Sequence, residues 1–209
     1  MKLYGYWRSS CSWRVRIALN LKELEYTYVP VHLVKNGGEQ HSPSYLAKNP
    51  QGQVPTLELA SGVSLAQSIA IIEFIEEIKP NPSLFPADRL ERARARQMAQ
   101  IVNAGIQPLQ NLSILQHIER LGQDKLDWGQ HYIQKGLEDL NTLAIQSSTP
   151  FLIGSYPTVA DLCLVPQLYN ARRFKCNLES VPRLLEIEHN CAQLEAFINA
   201  HPDNQPDAQ

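Results

Sequence analysis

Arg8-Ser9-Ser10-Cys11-Ser12-Trp13-Arg14 is the stretch on which the reading of this chain turns. It lies between a short strand pattern at residues 2–6 and a helical pattern at 12–21, where Val15 and Leu19, and Ile17 and Leu21, stand four apart. A run of small hydroxyl and thiol side chains thus falls where a strand gives way to a helix. Such a helix start offers free backbone N–H groups and the positive end of the dipole, which together stabilise a thiolate, the protein's own or a ligand's. The plainer reading is that Ser9 or Ser10 caps the helix and Cys11 is a small packing residue. Spacing alone leaves both open.

Moving outward, residues 26–31 are β-branched and aromatic and read as a second strand. Gly37-Gly38 marks a loop, and Ser42-Pro43 opens a short helix with proline at its first position. Residues 54–59 and 63–65 form a hairpin pattern turned at Ser61-Gly62. Ser68 is expected to cap an amphipathic helix carrying Ile69, Ile72, Phe74, Ile75 and Ile78. The order βαβαββα predicts a small mixed sheet, with a parallel pair and an antiparallel hairpin. Two further features sit at element starts. In Gln53-Val54-Pro55-Thr56 a proline opens a strand, which marks either an ordinary edge or a cis bond that turns the Val54 N–H and C=O toward an extended ligand. Gln67-Ser68 puts an amide and a hydroxyl at a helix N-terminus, either a plain cap or a carboxylate receptor.

Pro80, Pro82 and Pro86 interrupt any continuing helix and give the expected boundary. Residues 1–80 form the first domain, 81–88 a linker, and 89–209 an all-helical domain ending in a polar tail, expected to be mobile from Pro202. Asp88 is expected to cap a long helix running to about Leu115, kinked at Pro108. Further helical patterns cover 128–144, 158–169, 182–189 and 191–200. Gln107, Asn111 and Ser113 are spaced to fall near one side of the long helix, as a polar ligand wall or as buried caps. Thr158-Val159-Ala160-Asp161 reads as a capping box, structural in role.

Composition narrows the function classes. The 209 residues carry 19 basic and 21 acidic side chains, a net charge of −2, so there is no polyanion-binding field and no nucleic-acid partner is expected. The longest apolar run is Ile69-Ala70-Ile71-Ile72, far short of the roughly 20 residues of a spanning helix, so no membrane partner is expected either. MKLYGYWRSS lacks the apolar core of a secretory signal, which predicts a cytoplasmic protein. Cys11, Cys163, Cys176 and Cys191 stand far apart without a CxxC, against a disulfide framework or a metal knuckle.

Residues 9–19, Asn49-Pro50, 53–57, 67–73, 105–113 and 160–167 together resemble the zeta class of the glutathione transferase superfamily, over about residues 3–206. The 9–19 stretch is specific to that class, whereas Val54-Pro55 and the capping box are shared more widely. The resemblance implies a thioredoxin-like N-terminal domain that binds glutathione and a helical C-terminal domain that supplies the second substrate's pocket. It implies Ser9 as the thiol-activating hydroxyl, with Ser10 and Cys11 beside it as catalytic residues. Ser12, Trp13, Arg14, Gln40, Val54, Gln67 and Ser68 would complete the glutathione site, Val54 ahead of a cis Pro55, with Gln107, Asn111, Leu112 and Ser113 lining the cleft. The implied reaction is glutathione-dependent cis–trans isomerisation of a small dianionic maleyl keto acid, maleylacetoacetate or maleylpyruvate, by a homodimer without a metal. Arg8 and Arg173 are the candidate partners of the substrate carboxylates, with Arg172 an ordinary surface charge. A conjugating glutathione transferase, a monothiol reductase using Cys11 and a non-catalytic module are the competing classes. Cys11-Ser12-Trp13-Arg14 keeps only one thiol, so a dithiol exchange cycle is unavailable.

Overall fold

Strand β1 (Lys2–Gly5) pairs in parallel with β2 (Thr27–Pro30) and antiparallel with β3 (Thr56–Glu58), which pairs antiparallel with β4 (Ser64–Ala66). The sheet order is β2-β1-β3-β4. Helix α1 (Ser10–Leu21) connects β1 to β2, α2 (Pro43–Leu46) precedes β3, and α3 (Ser68–Ile78) follows β4. The predicted βαβαββα order is therefore present. The computed structural model describes residues 1–209, in two compact units: Met1–Leu84 with Leu194–Gln209, and Phe85–Gln193.

The first unit closes because its apolar periodicities converge. Leu3 and Leu57 from the sheet, Val15, Ile17 and Leu19 from α1, and Ile71, Ile72 and Ile75 from α3 are all fully buried. Each such side chain contributes about 1.5–3 kcal/mol on burial. Helix α1 stops where Glu23 takes a left-handed φ of 48°, and the Leu24 N–H bonds the Leu19 carbonyl at 3.0 Å. Charged side chains of this helix region are wholly buried, Lys22 and Arg16 among them. Lys22 Nζ meets Glu76 Oε2 and the Pro82 carbonyl, both at 2.5 Å. Arg16 donates to the carbonyls of Trp7 and Ala200, and burial lowers its pKa.

The second unit starts at α4 (Arg89–Gln100), where Asp88 accepts from the N–H groups of Leu90 and Glu91, each at 2.9 Å. The expected long helix to Leu115 does not form. After Gln100 comes a π-helical stretch, Ile101–Ile106, then a 3-10 turn, Gln107–Gln110, and then a separate helix α5 (Leu112–Arg120). Gly105 weakens the helix, Pro108 lacks the N–H needed to continue it, and Asn111 is extended (φ −63°, ψ 144°) as the cap of α5. Helices α6 (Lys125–Ala144), α7 (Val159–Arg173) and α8 (Pro182–Cys191) complete this unit. Leu140, Leu162, Leu168, Leu184 and Ile187 are among its fully buried side chains. No helix of the protein is long and apolar enough to cross a membrane.

The last segment departs from the expected organisation. Residues 191–200 do not make one helix: Cys191 ends α8, and α9 (Glu195–Ala200) belongs to the first unit. The polar tail expected to be mobile is instead held by the first unit. Gln205 is buried and donates to the carbonyls of Asn199 and His201 at 3.0 and 2.9 Å. Asp207 Oδ2 accepts from the Trp7 N–H at 3.1 Å. The compact units thus divide at Leu84/Phe85 and return residues 194–209 to the first.

The capping box forms as read. Fully buried Asp161 accepts from the N–H groups of Leu152 and Thr158, each at 2.8 Å, and from Thr158 Oγ1 at 3.0 Å. Burial pushes its carboxyl up to about 6, against the downward pull of those bonds. Asp161→Asn turns an amide NH2 toward N–H donors and leaves one unsatisfied. A loss of about 1–3 kcal/mol is expected, read as a lower denaturant midpoint with an unchanged m-value. A midpoint equal to wild type would mean that the box does not hold α7.

Candidate active site

The sheet registers bring four chain segments to one end. Tyr4 lies opposite Thr56, and Thr56 opposite Ala66. The start of α1 follows β1 there, Val54 stands two residues before Thr56, and Gln67-Ser68 follows β4. In the parallel pair Gly5 lies beside Pro30, so the loop that carries Gln40 also leaves from this end.

The start of α1 is drawn tightly onto β1. A Cβ on Gly5 would meet Tyr28 Cε2 at 3.0 Å and Ser12 Cβ at 3.2 Å, so a side chain there would press Tyr28 and Ser12 outward. Ser12 Oγ accepts the Tyr6 N–H at 3.4 Å. Ser9 is the N-cap, and its Oγ accepts the Ser12 N–H at 3.3 Å. A serine hydroxyl that accepts this bond still has its own O–H to donate. Ser9 and Cys11 are partly exposed, and Ser10 is buried. Ser12 and Arg14 are wholly buried and Trp13 is nearly so. Ser12 Oγ is engaged by the Tyr6 N–H, and Trp13 stands edge-on to His201 at 5.1 Å. Arg8 extends over the rings of Trp7 (5.3 Å) and Tyr6 (6.0 Å).

The Val54–Pro55 bond is cis. The Val54 N–H and C=O take no partner from the protein. The preceding Gln53 carbonyl is held twice, by Tyr45 Oη at 2.6 Å and Asn49 Nδ2 at 2.7 Å. Asn49 Oδ1 also accepts the Gln51 N–H at 3.1 Å, and Tyr45 Oη meets Thr56 Oγ1 at 3.0 Å. These two side chains fix the approach to Val54. Asn49 was legible as part of Asn49-Pro50, whereas nothing in the local pattern marks Tyr45.

At α3 the cap is Gln67, not Ser68, because Gln67 takes φ 69° and ψ 109° while Ser68 is already helical and buried. No side chain caps this helix, so its first N–H groups lack the usual oxygen acceptor. The Gln67 side chain donates to Gln51 Oε1 at 2.7 Å. Buried Gln40 donates through Nε2 to the Leu33 carbonyl at 3.3 Å, while its Oε1 is buried without a partner. Gly38, at φ 99°, makes room for that amide, since a Cβ there would lie 2.5 Å from Gln40 Nε2.

The remaining candidates lie in the second unit. Gln107 begins the 3-10 turn, and exposed Leu112 opens α5. Asn111 Oδ1 accepts from the Ser113 N–H at 3.2 Å and Ser113 Oγ at 3.3 Å. The polar residues are therefore not one face of a kinked helix: Asn111 and Ser113 form the cap of a new one. The buried polar pair of this region is Gln110 with Gln167, joined reciprocally at 2.6 and 3.2 Å, and the sequence reading missed it. Exposed Arg173 ends α7 and reaches Asn170 Oδ1 at 3.5 Å. Arg172 makes a two-point ion pair with Glu188, one arm at 2.7 Å.

Residues 8–78 match the family model "Glutathione S-transferase, N-terminal domain". The chain is 45% identical over 205 residues to the probable maleylacetoacetate isomerase 2 of Drosophila melanogaster, covering 98% of this chain and 89% of that protein. Among solved structures it resembles the holo form of a maleyl pyruvate isomerase, described as a bacterial glutathione S-transferase of the zeta class. The TM-score is 0.95 at 40% identity, with both chains covered completely. It is also similar to the maleylacetoacetate isomerase of Anaeromyxobacter dehalogenans with GSH bound in its active site. Here the TM-score is 0.90 at 45% identity, over 100% of this chain and 97% of that one.

Asn49→Ala removes one of the two donors on the Gln53 carbonyl and the acceptor of the Gln51 N–H. Amide exchange over residues 51–54 should rise about 5-fold, the ~1 kcal/mol of one neutral hydrogen bond, with little change elsewhere. Unchanged exchange over this loop would show that Asn49 does not hold it.

Proposed function

Because the chain belongs to the zeta class of the glutathione transferase family, we propose that it is a glutathione-dependent cis–trans isomerase of a maleyl keto acid, converting maleylacetoacetate to fumarylacetoacetate. The observation that carries this reading is the common sheet end, which gathers the Ser9–Cys11 turn, the unpartnered Val54 backbone and the uncapped start of α3.

The residues there fit glutathione. Val54 offers an N–H and a C=O that take no protein partner, the complement of a peptide-like ligand. The start of α3 offers free N–H groups and the Ser68 hydroxyl to a carboxylate, and Gln67 stands beside it with its amide. The buried, unpartnered Gln40 Oε1 is a further acceptor close to the same end. The chemistry that bound glutathione supplies is a thiolate nucleophile for reversible addition to the cis double bond, and its departure after rotation leaves the trans product.

The task of this chain is to keep that sulfur ionised. A free thiol has a pKa of about 8.5, and lowering it by ~2 units requires ~2.7 kcal/mol of preference for the thiolate. The Ser9 O–H donating to a charged acceptor contributes ~1.5–3 kcal/mol, and the α1 terminus adds ~0.3–1. These contributions suffice together. Ser10 and Cys11 flank the same point, Cys11 with its thiol partly exposed. Arg8, one residue from Ser9, and Arg173 are the proposed partners of the two substrate carboxylates. Gln107, Asn111, Leu112 and Ser113 are proposed as further cofactor-binding residues on kinship with the zeta-class enzymes.

Maleylpyruvate is the second substrate to consider, because the maleyl pyruvate isomerase matches the whole chain at a TM-score of 0.95. Kinship with these enzymes supports three further proposals: a homodimer, a cytoplasmic location and a place in tyrosine and phenylalanine breakdown.

Isomerisation of maleylacetoacetate and of maleylpyruvate should each be followed with glutathione present and absent. Ser9→Ala is expected to lower kcat/KM about 10–100-fold, the worth of one charge-assisted hydrogen bond, and Cys11→Ala much less. A larger loss in Cys11→Ala, with Ser9→Ala near wild type, reverses the assignment. No isomerisation of either substrate overturns the reading.

A further inference from the structure

The turn that carries Ser9 is held from a distant part of the chain. Trp7 has both backbone groups engaged by side chains: its N–H donates to Asp207 Oδ2 at 3.1 Å, and its C=O accepts from Arg16 Nη2 at 2.7 Å. Ser9 is two residues on, and its own N–H returns to the Tyr6 carbonyl at 3.0 Å. The peptide units on either side of Trp7 are therefore fixed before the chain enters α1. Arg16 is fully buried in α1, and the same guanidinium grips the Ala200 carbonyl at the end of α9, at 3.1 and 3.0 Å. Gln205 pins the turn that follows α9. Asp207 thus arrives at Trp7 on a braced segment, where it also accepts from Tyr28 Oη at 3.4 Å.

From this geometry we propose that Asp207 is a positioning residue for Ser9: its carboxylate, by holding the Trp7 N–H, sets where the Ser9 hydroxyl points. The inference rests on the proposed role of Ser9 in stabilising a glutathione thiolate. A hydroxyl displaced by a fraction of an ångström loses most of a charge-assisted hydrogen bond, and the supporting groups decide that displacement. Arg8 rides on the same turn, stacked over Trp7, so the proposed carboxylate partner is carried along with it. Asp207 acts on Ser9 through the Trp7 N–H and not as a partner of sulfur or substrate.

The test compares full-length wild type, Asp207→Ala and Asp207→Asn. The first readout is amide exchange of residues 6–9 in the protein without glutathione. The second is the pKa of the thiol of bound glutathione, titrated by thiolate ultraviolet absorbance. The third is the separation of kcat from the KM for glutathione. In Asp207→Ala exchange should rise at residues 6–9 only, the bound thiol pKa should move up, and kcat should fall ~10-fold with KM within ~3-fold of wild type. Asp207→Asn keeps an oxygen for the Trp7 N–H and should recover most of the loss. An unchanged thiol pKa and kcat in Asp207→Ala overturns the proposal, whatever its melting temperature. If Asp207→Ala does not fold, Asp207→Ser, whose shorter side chain does not reach the Trp7 N–H, takes its place in the same three readouts with the same deciding outcomes. A wild type that lowers the bound thiol pKa without isomerising either keto acid sinks the isomerase reading, and the titration still decides the role of Asp207.

Discussion

The contact on which the structure depends is the close approach of the first turn of α1 to the end of β1 at Gly5. A single methyl group there would press on Tyr28 and Ser12, so the absence of a side chain lets the helix start sit against the sheet. Ser12 completes the contact by taking the Tyr6 N–H, and Ser9, as N-cap, takes the Ser12 N–H in turn. The same two bonds that start the helix leave the Ser9 O–H at its tip. Folding and chemistry are therefore joined at this turn: what satisfies the backbone also aims the hydroxyl.

Around that turn the site is built from backbone rather than from unusual side chains. The antiparallel register that sets Tyr4 opposite Thr56 and Thr56 opposite Ala66 brings Val54 and the start of α3 to the same end of the sheet. Tyr45 and Asn49 hold the Gln53 carbonyl and leave the next N–H unpartnered. Helix α3 goes without a side-chain cap, although serine, a good cap residue, stands one position later. Backbone groups without a protein partner thus stand at two neighbouring places, Val54 and the first turn of α3, where a ligand's polar groups can take them. The carboxyl-terminal segment adds the remaining restraint, returning across some 200 residues of sequence to meet Trp7.

The legible parts of this fold were those written in local sequence. Strand, hydroxyl run and helix could be read at residues 2–21 because period and cap signals agree there. The 158–161 capping box needed only four residues to be visible. The break after Gln100 was hidden because apolar periodicity runs on through Gly105, and Asn111 as a cap resembles Asn111 as a polar wall until its backbone is seen to be extended. Gln67 and Ser68 could each have been the cap, and only the left-handed φ of Gln67 decides between them. The buried arginines of α1 and the packed tail escaped for a different reason. Their partners lie up to 200 residues away, and a polar tail carries no periodicity that would announce them. The turn bearing Ser9 was thus readable from sequence, and the groups that brace it were not.

The most direct measurement follows maleylacetoacetate by proton NMR in the presence of the protein and a small, substoichiometric amount of glutathione. Complete conversion of the cis to the trans isomer, with glutathione recovered unchanged after many turnovers, is the expected result. Conversion that stops at one equivalent of glutathione with an adduct accumulating, or that proceeds equally well without glutathione, contradicts a glutathione-dependent isomerase.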